Sequence, residues 1–122
     1  MSRAPDEPVA STRRRAARKR PTPAERDAAA AELARIRDRI DRLDTRIVDL
    51  LNERATLGRM AGRAKRLAGR RVVRDLERER EVLLRVAMRN DGPMSQADLL
   101  SIYRRIVAIT RTLESRDRIS DG

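Results

Sequence analysis

The sequence predicts an all-α fold of three helices per protomer, the first of them very long. Three observations carry this. Leu33, Ile36, Ile40, Leu43, Ile47, Leu50, Arg54, Leu57, Ala61, Ala64 and Ala68 keep an alternating 3,4 spacing and are apolar except for Arg54, the pattern of a helix that buries one face. Beyond the N-terminal prolines, the breakers fall at Gly69 and at Asn90-Asp91-Gly92-Pro93, which separate helical stretches. No segment alternates with the period of two that a strand requires.

The first helix is expected over roughly 24–67, where Thr22-Pro23-Ala24-Glu25 supplies a capping Thr, Pro at the first helical position and an acid in the first turn. At 1.5 Å per residue such a helix is roughly 60 Å long, more than a domain of this size is wide. It needs a partner along its length, and a second copy of the chain is the simplest one. Gly69 ends it. The second helix is expected over about 74–89, with Val72, Leu76, Glu79, Leu83 and Val86 as its inward series. After the turn, Ser95 with Asp98 three residues on resembles a capping box for a third helix of about 96–116. That helix carries two stripes, Leu99, Ile102, Ile106, Ile109, Leu113 and Leu100, Tyr103, Val107, Thr110, Glu114. The second turns polar toward its C-terminal end. Residues 1–23 read as a disordered basic tail and 119–122 as a short C-terminal tail, bounding a helical domain over 24–118.

Composition excludes whole classes of chemistry. The 122 residues suffice for one domain. With no Cys and no His, disulfides, zinc sites of the usual kind and His-based triads are out. Tyr103 is the single aromatic, too few for base stacking on RNA or single-stranded DNA. There is no apolar run of membrane-spanning length and no apolar segment of secretory type at the N-terminus, so a cytoplasmic location is expected.

The net charge of +11 is uneven: Arg3, Arg13, Arg14, Arg15, Arg18, Lys19 and Arg20 face only Asp6 and Glu7 in the tail. The tail reads as solubilising or as a non-specific attractant for nucleic acid or an acidic partner. Of the 30 basic residues only Lys19 and Lys65 are Lys. One Lys in an otherwise Arg-based helical body either answers a need for an ammonium or is a chance residue.

An inward guanidinium is costly unless something anionic meets it, so the inward polar residues Arg54, Glu79, Thr110 and Glu114 form the candidate site. Lys65 follows Arg54 by 11 residues, close to three helical turns, and shares its face. Arg37 flanks the same seam about 25 Å earlier by helical rise, within reach only from a second copy. Asp75, Arg78 and Glu79 present one edge of the second helix. Two readings follow. Arg54 and Glu79 form a structural salt bridge, or the bundle holds a cationic pocket for a small dicarboxylate, with Arg supplying bidentate contacts and Lys a point charge.

These residues also carry a resemblance. Ile36-Arg37-x-x-Ile40-Asp41-x-Leu43-Asp44-x-x-Ile47-x-x-Leu50-Leu51-x-x-Arg54, then Ala64-Lys65, then Val73-Arg74-Asp75-x-x-Arg78-Glu79, then Thr110-x-x-x-Glu114 resemble the all-helical class of chorismate mutases over about residues 30–116. The acidic run stands one residue further from the lysine than the family spacing. The resemblance implies an intertwined homodimer with two sites, each taking Arg37 from one protomer and Arg54, Lys65, Asp75, Arg78, Glu79, Thr110 and Glu114 from the other.

It implies the rearrangement of the small dicarboxylate chorismate to prephenate, with no cofactor and no metal. Arg37 and Arg54 would clamp the carboxylates, while Lys65 and Glu114 would meet the ether oxygen. Glu79 would accept from the ring hydroxyl, with Arg78 holding Glu79 or the substrate, and Asp75 and Thr110 would trim the pocket. Two positions depart from the family. Glu114 stands where Gln is common and can donate only when protonated. Arg111 stands where an apolar wall residue is expected, and either points to solvent or alters the pocket. Three other readings remain: an isochorismate-cleaving relative, which usually lacks the D-x-x-R-E run; a 4-amino-4-deoxychorismate mutase; and a basic coiled coil that binds nucleic acid, which inward cations do not favour. A pathway-enzyme partner and allosteric control stay open.

Overall fold

A computed structural model describes residues 19–70 and 75–121. Within them the chain is helical, in three elements: α1 Pro23–Leu67, α2 Leu76–Arg89 and α3 Gln96–Asp121. No strand occurs among the described residues, and none of the helices is long and apolar enough to cross a membrane. The chain divides into two units, Met1–Leu43 and Asp44–Gly122. The described part of the first is the N-terminal stretch of α1. The second holds the rest of α1 with α2 and α3.

Each helix boundary has a local cause. Thr22 and Glu25 close a reciprocal capping box: Glu25 N donates to Thr22 Oγ1 (3.1 Å) and Thr22 N to Glu25 Oε2 (2.7 Å). α1 ends in a Schellman arrangement. Gly69 takes φ +80°, its N–H donates to Arg66 O, and Arg70 N–H donates to Lys65 O. α2 starts at Leu76 rather than at residue 74, because Asp75 is its cap: the carboxylate accepts from Arg78 N (3.0 Å). The inward-series member Val72 lies outside the described residues, as do Val73 and Arg74 of the acidic run.

The turn after α2 is organised by Asn90. Its Nδ2 donates to Met94 O and Gln96 Oε1, and its Oδ1 accepts from Gly92 N. Ser95 Oγ accepts from Asp98 N at the start of α3. α3 runs past the expected end near 116 to Asp121, so residues 119–121 continue the helix. Two ion pairs to α1 hold that last stretch, Arg59–Asp117 (2.8 Å) and Arg66–Asp121 (2.6 Å). Most of the expected tail, residues 1–18, lies outside the described residues, as does Gly122.

Burial within one protomer separates the inward assignments. The apolar seam of α1 is not covered by the protomer: Leu33, Ile36, Ile40, Leu43, Ile47, Leu50 and Leu57 are each 42–56% exposed. The stripe of α1 that meets α3 is displaced by one residue and runs through Arg54, Gly58 and Gly62 to Lys65 and Arg66. A Cβ on Gly58 would fall on Thr110 Cγ2, and one on Gly62 would lie 2.8 Å from Glu114 Cγ. The two glycines let α3 come that close. On α3 the stripe Leu100, Tyr103, Val107, Thr110, Glu114 is the covered one, while Ile102 and Ile109 of the other stripe are exposed. On α2, Leu76 is exposed where an inward residue is expected; it sits in the first turn, directly after the cap. Among the described residues, Val107 is the buried hydrophobic side chain and Glu114 the buried charged one.

Candidate active site

A cleft of about 400 Å³ opens between the C-terminal part of α1, α2 and α3. Arg54, Lys65, Asp75, Arg78, Glu79, Thr110 and Glu114 all line it. Seven of the eight residues singled out from sequence are thus brought together. The eighth, Arg37, is exposed on α1 and does not line this cleft. The apolar part of the wall comes from Leu57, Ala61, Val82 and Val107. Periodicity does not single out Gly58, Gly62 or Val82. For the glycines the available signal is their i, i+4 spacing beside the Ala-rich end of α1, which permits a close helix crossing.

Arg54 sits where the exposed seam and the α3-facing stripe meet. Its Nη1 donates to Thr110 Oγ1 (3.3 Å), and its guanidinium lies 5.9 Å from the centroid of the Tyr103 ring, within cation–π range. Thr110 Oγ1 in turn donates to Ile106 O (3.2 Å), so its free lone pair is aimed at Arg54. The Arg54–Glu79 bridge that periodicity allows is not among the ion pairs of the described residues. The guanidinium therefore keeps donors directed at the cleft.

At the other end, Lys65 Nζ stands 3.9 Å from Glu114 Oε2. Glu114 is only 6% exposed. Burial pushes its carboxyl above the ordinary range; Lys65 and Arg66 pull it down, and Glu79 pushes it up again. Asp75 is shifted the other way, held low first by the Arg78 N–H and further by Arg70 (3.4 Å) and Lys65.

Arg111 does not point to solvent. It lines the cleft, and its Nε lies 3.3 Å from Glu79 Oε2. That nitrogen is buried, and the contact is an ion pair without hydrogen-bond alignment. Arg78 Nη1 faces Glu81 (3.5 Å), as the two share one face of α2 at i, i+3, and Arg78 also lines the cleft.

The lining thus holds four basic side chains, Arg54, Lys65, Arg78 and Arg111, against three carboxyls, Asp75, Glu79 and Glu114. With Glu114 protonated the surplus is two positive charges. Such a charge balance suits a small anion, and Lys65 with a neutral Glu114 can direct two donors at one oxygen.

The chain is similar to known proteins over this same region. The family model described as chorismate mutase type II matches residues 36–115. A bifunctional chorismate mutase/prephenate dehydratase of Aquifex aeolicus (strain VF5) is 36% identical over 93 residues, 73% of this chain and 25% of that protein. One of the same description from Stutzerimonas stutzeri is 34% identical over 95 residues, 75% of this chain and 26% of that protein. The chain thus spans about a quarter of the length of these relatives. With the family pattern matched from Ile36 to Ser115, over the helices that build the cleft, the chain belongs to the chorismate mutase type II family.

Proposed function

We propose that this chain is a chorismate mutase, rearranging chorismate to prephenate at the step that commits the shikimate pathway to phenylalanine and tyrosine. The observation that carries the proposal is the cleft's charge arrangement: a cationic surplus with Lys65 beside a buried Glu114 whose pKa burial raises. The reaction is intramolecular. One C–O bond breaks, one C–C bond forms, and neither a nucleophile nor a proton transfer is required. The protein's task is to hold a flexible dicarboxylate in its compact reactive conformer and to stabilise the oxygen that gains negative charge.

In this reading Arg54 takes one carboxylate, and its position is held by Thr110. Lys65 and protonated Glu114 donate to the ether oxygen. Glu79 accepts from the ring hydroxyl, Asp75 fixes the start of α2, and Arg78 closes the rim. The second carboxylate is met by Arg37 of another copy in an intertwined homodimer of the helical domain, acting in the cytoplasm. The uncovered seam of α1 supports that assembly. Its apolar members are exposed at heptad spacing along the helix, a surface that a second helix covers. Purified protein added to chorismate should abolish the substrate's absorbance with formation of prephenate. Unchanged absorbance across the accessible pH range overturns the proposal.

A further inference from the structure

Arg111 occupies the wall of the cleft where an apolar residue is expected, and it faces the one carboxylate assigned to the substrate's ring substituent. We infer that Arg111 is a specificity-determining residue that makes the site select a neutral hydroxyl over a protonated amine at the position Glu79 reads. The inference rests on the mutase reading above.

A carboxylate that faces the cleft alone accepts a hydrogen bond from a hydroxyl and attracts an ammonium more strongly still. Glu79 does not face the cleft alone. Arg111 Nε lies 3.3 Å from its Oε2, with Arg111 one-third exposed and Glu79 less so. A ring ammonium brought to Glu79 would arrive as a second cation a few ångströms from a guanidinium, in a partly desolvated wall beside Val82 and Val107. Like charges at such separations are strongly unfavourable. A hydroxyl donates its hydrogen bond to Glu79 and brings no charge.

Arg111 therefore rejects the amine by repulsion, leaving the hydroxyl's own contact intact. An ionised carboxylate accepts through two oxygens even when ion-paired, and the Arg111 Nε contact lacks hydrogen-bond alignment.

The test compares chorismate with 4-amino-4-deoxychorismate as substrates of the full chain. We expect the wild type to favour chorismate. Arg111→Met should shift the ratio of kcat/KM values toward the amine by about tenfold or more, through a lower KM for the amine. Arg111→Lys, which keeps the charge, should retain the wild-type preference. Arg111→Gln serves as a second neutral variant should Arg111→Met not fold. An unchanged ratio in a folded neutral variant overturns the assignment, as does a wild type that favours the amine or an Arg111→Lys ratio that moves as far as the neutral variants. In those cases the mutase reading stands as long as the wild type turns over chorismate. Turnover of neither compound by the wild type overturns the mutase reading itself, so the two failures are distinct.

Discussion

Glu114 can serve the proposed reaction only with its proton on, because an ionised carboxylate has no hydrogen to donate. Burial raises its pKa, and this outweighs the opposing pull of Lys65 and Arg66, with Glu79 assisting. The folded protein therefore holds this proton to higher pH than a free carboxyl does. The same shift makes a stability contribution that is full below the ordinary carboxyl pKa and is lost as pH rises through the raised one. Activity should fall with rising pH through Glu114's pKa, and Glu114→Gln, a permanent donor, should flatten that descent; a variant profile identical to wild type would rule out the assignment.

Lys65 bears on the same profile. Removing it as Lys65→Ala should cost about two to three orders of magnitude in kcat. It also removes a charge that lowers Glu114's pKa, so the residual activity should persist to higher pH than in wild type. A kcat loss with no displacement of the pH limb would show that the two side chains do not act together. Arg54, Lys65, Glu79 and Glu114 were all legible from periodicity and charge, because an inward charged residue stands out against an apolar seam. The partner each one meets was not. Whether Glu79 faces Arg54 or Arg111 depends on how α2 rotates against α3, which a one-dimensional pattern does not contain.

At the level of the helices, the close approach of α1 to α3 sets the site's dimensions, and two glycines permit it. Gly58→Ala gains up to about 1 kcal/mol in helix propensity, but its Cβ would fall on Thr110 Cγ2. Thr110 is not a flexible neighbour: it is β-branched and its hydroxyl is engaged by both Ile106 and Arg54. Overpacking of this kind costs about 1–3 kcal/mol, so the net effect should be a loss of about 1–2 kcal/mol, read from denaturant midpoints at fixed protein concentration. Thr110→Ser deletes the colliding methyl and keeps the hydroxyl. The double variant should recover most of the loss; equal destabilisation of single and double variants would mean that Gly58 has another role.

The helix termini were readable in advance because capping is local chemistry: Thr22, Gly69 and Ser95 each act on neighbours within a few residues. The facing stripe of α1 was not. The heptad seam and the α3-facing stripe lie side by side on one helix, and the hydrophobic pattern reports the seam alone, since glycine carries no apolar side chain. The end of α3 was missed for a related reason. Its last stretch is held by the Arg59–Asp117 and Arg66–Asp121 ion pairs, and polar residues give no apolar period to follow.

For the whole molecule, the exposed seam and the proposed sharing of the site between copies lead to a single experiment. If Arg37 of one copy completes the cleft lined by Arg54 of another, neither Arg37→Ala nor Arg54→Ala leaves an intact site in its own homodimer. Both variants should be dimeric, with twice the 13.9 kDa chain mass, and both nearly inactive. Mixing and re-equilibrating them in equal amounts gives heterodimers as about half of the population. Two-fold symmetry sorts both substitutions into one site of each heterodimer and leaves the other wild type, so about a quarter of wild-type activity should return. A site contained in one protomer gives no recovery at all, because every cleft then keeps one defective arginine. Ile40→Asp provides the complementary arm. A charge in the middle of the seam should dissociate the dimer and abolish activity together with it, while Ile40→Leu, which keeps the apolar surface, should retain both. Activity that survives in a monomeric Ile40→Asp protein would mean that Arg37 and Arg54 are not joined across copies, and that the single cleft lined by Arg54, Lys65 and Glu114 works without a second carboxylate clamp.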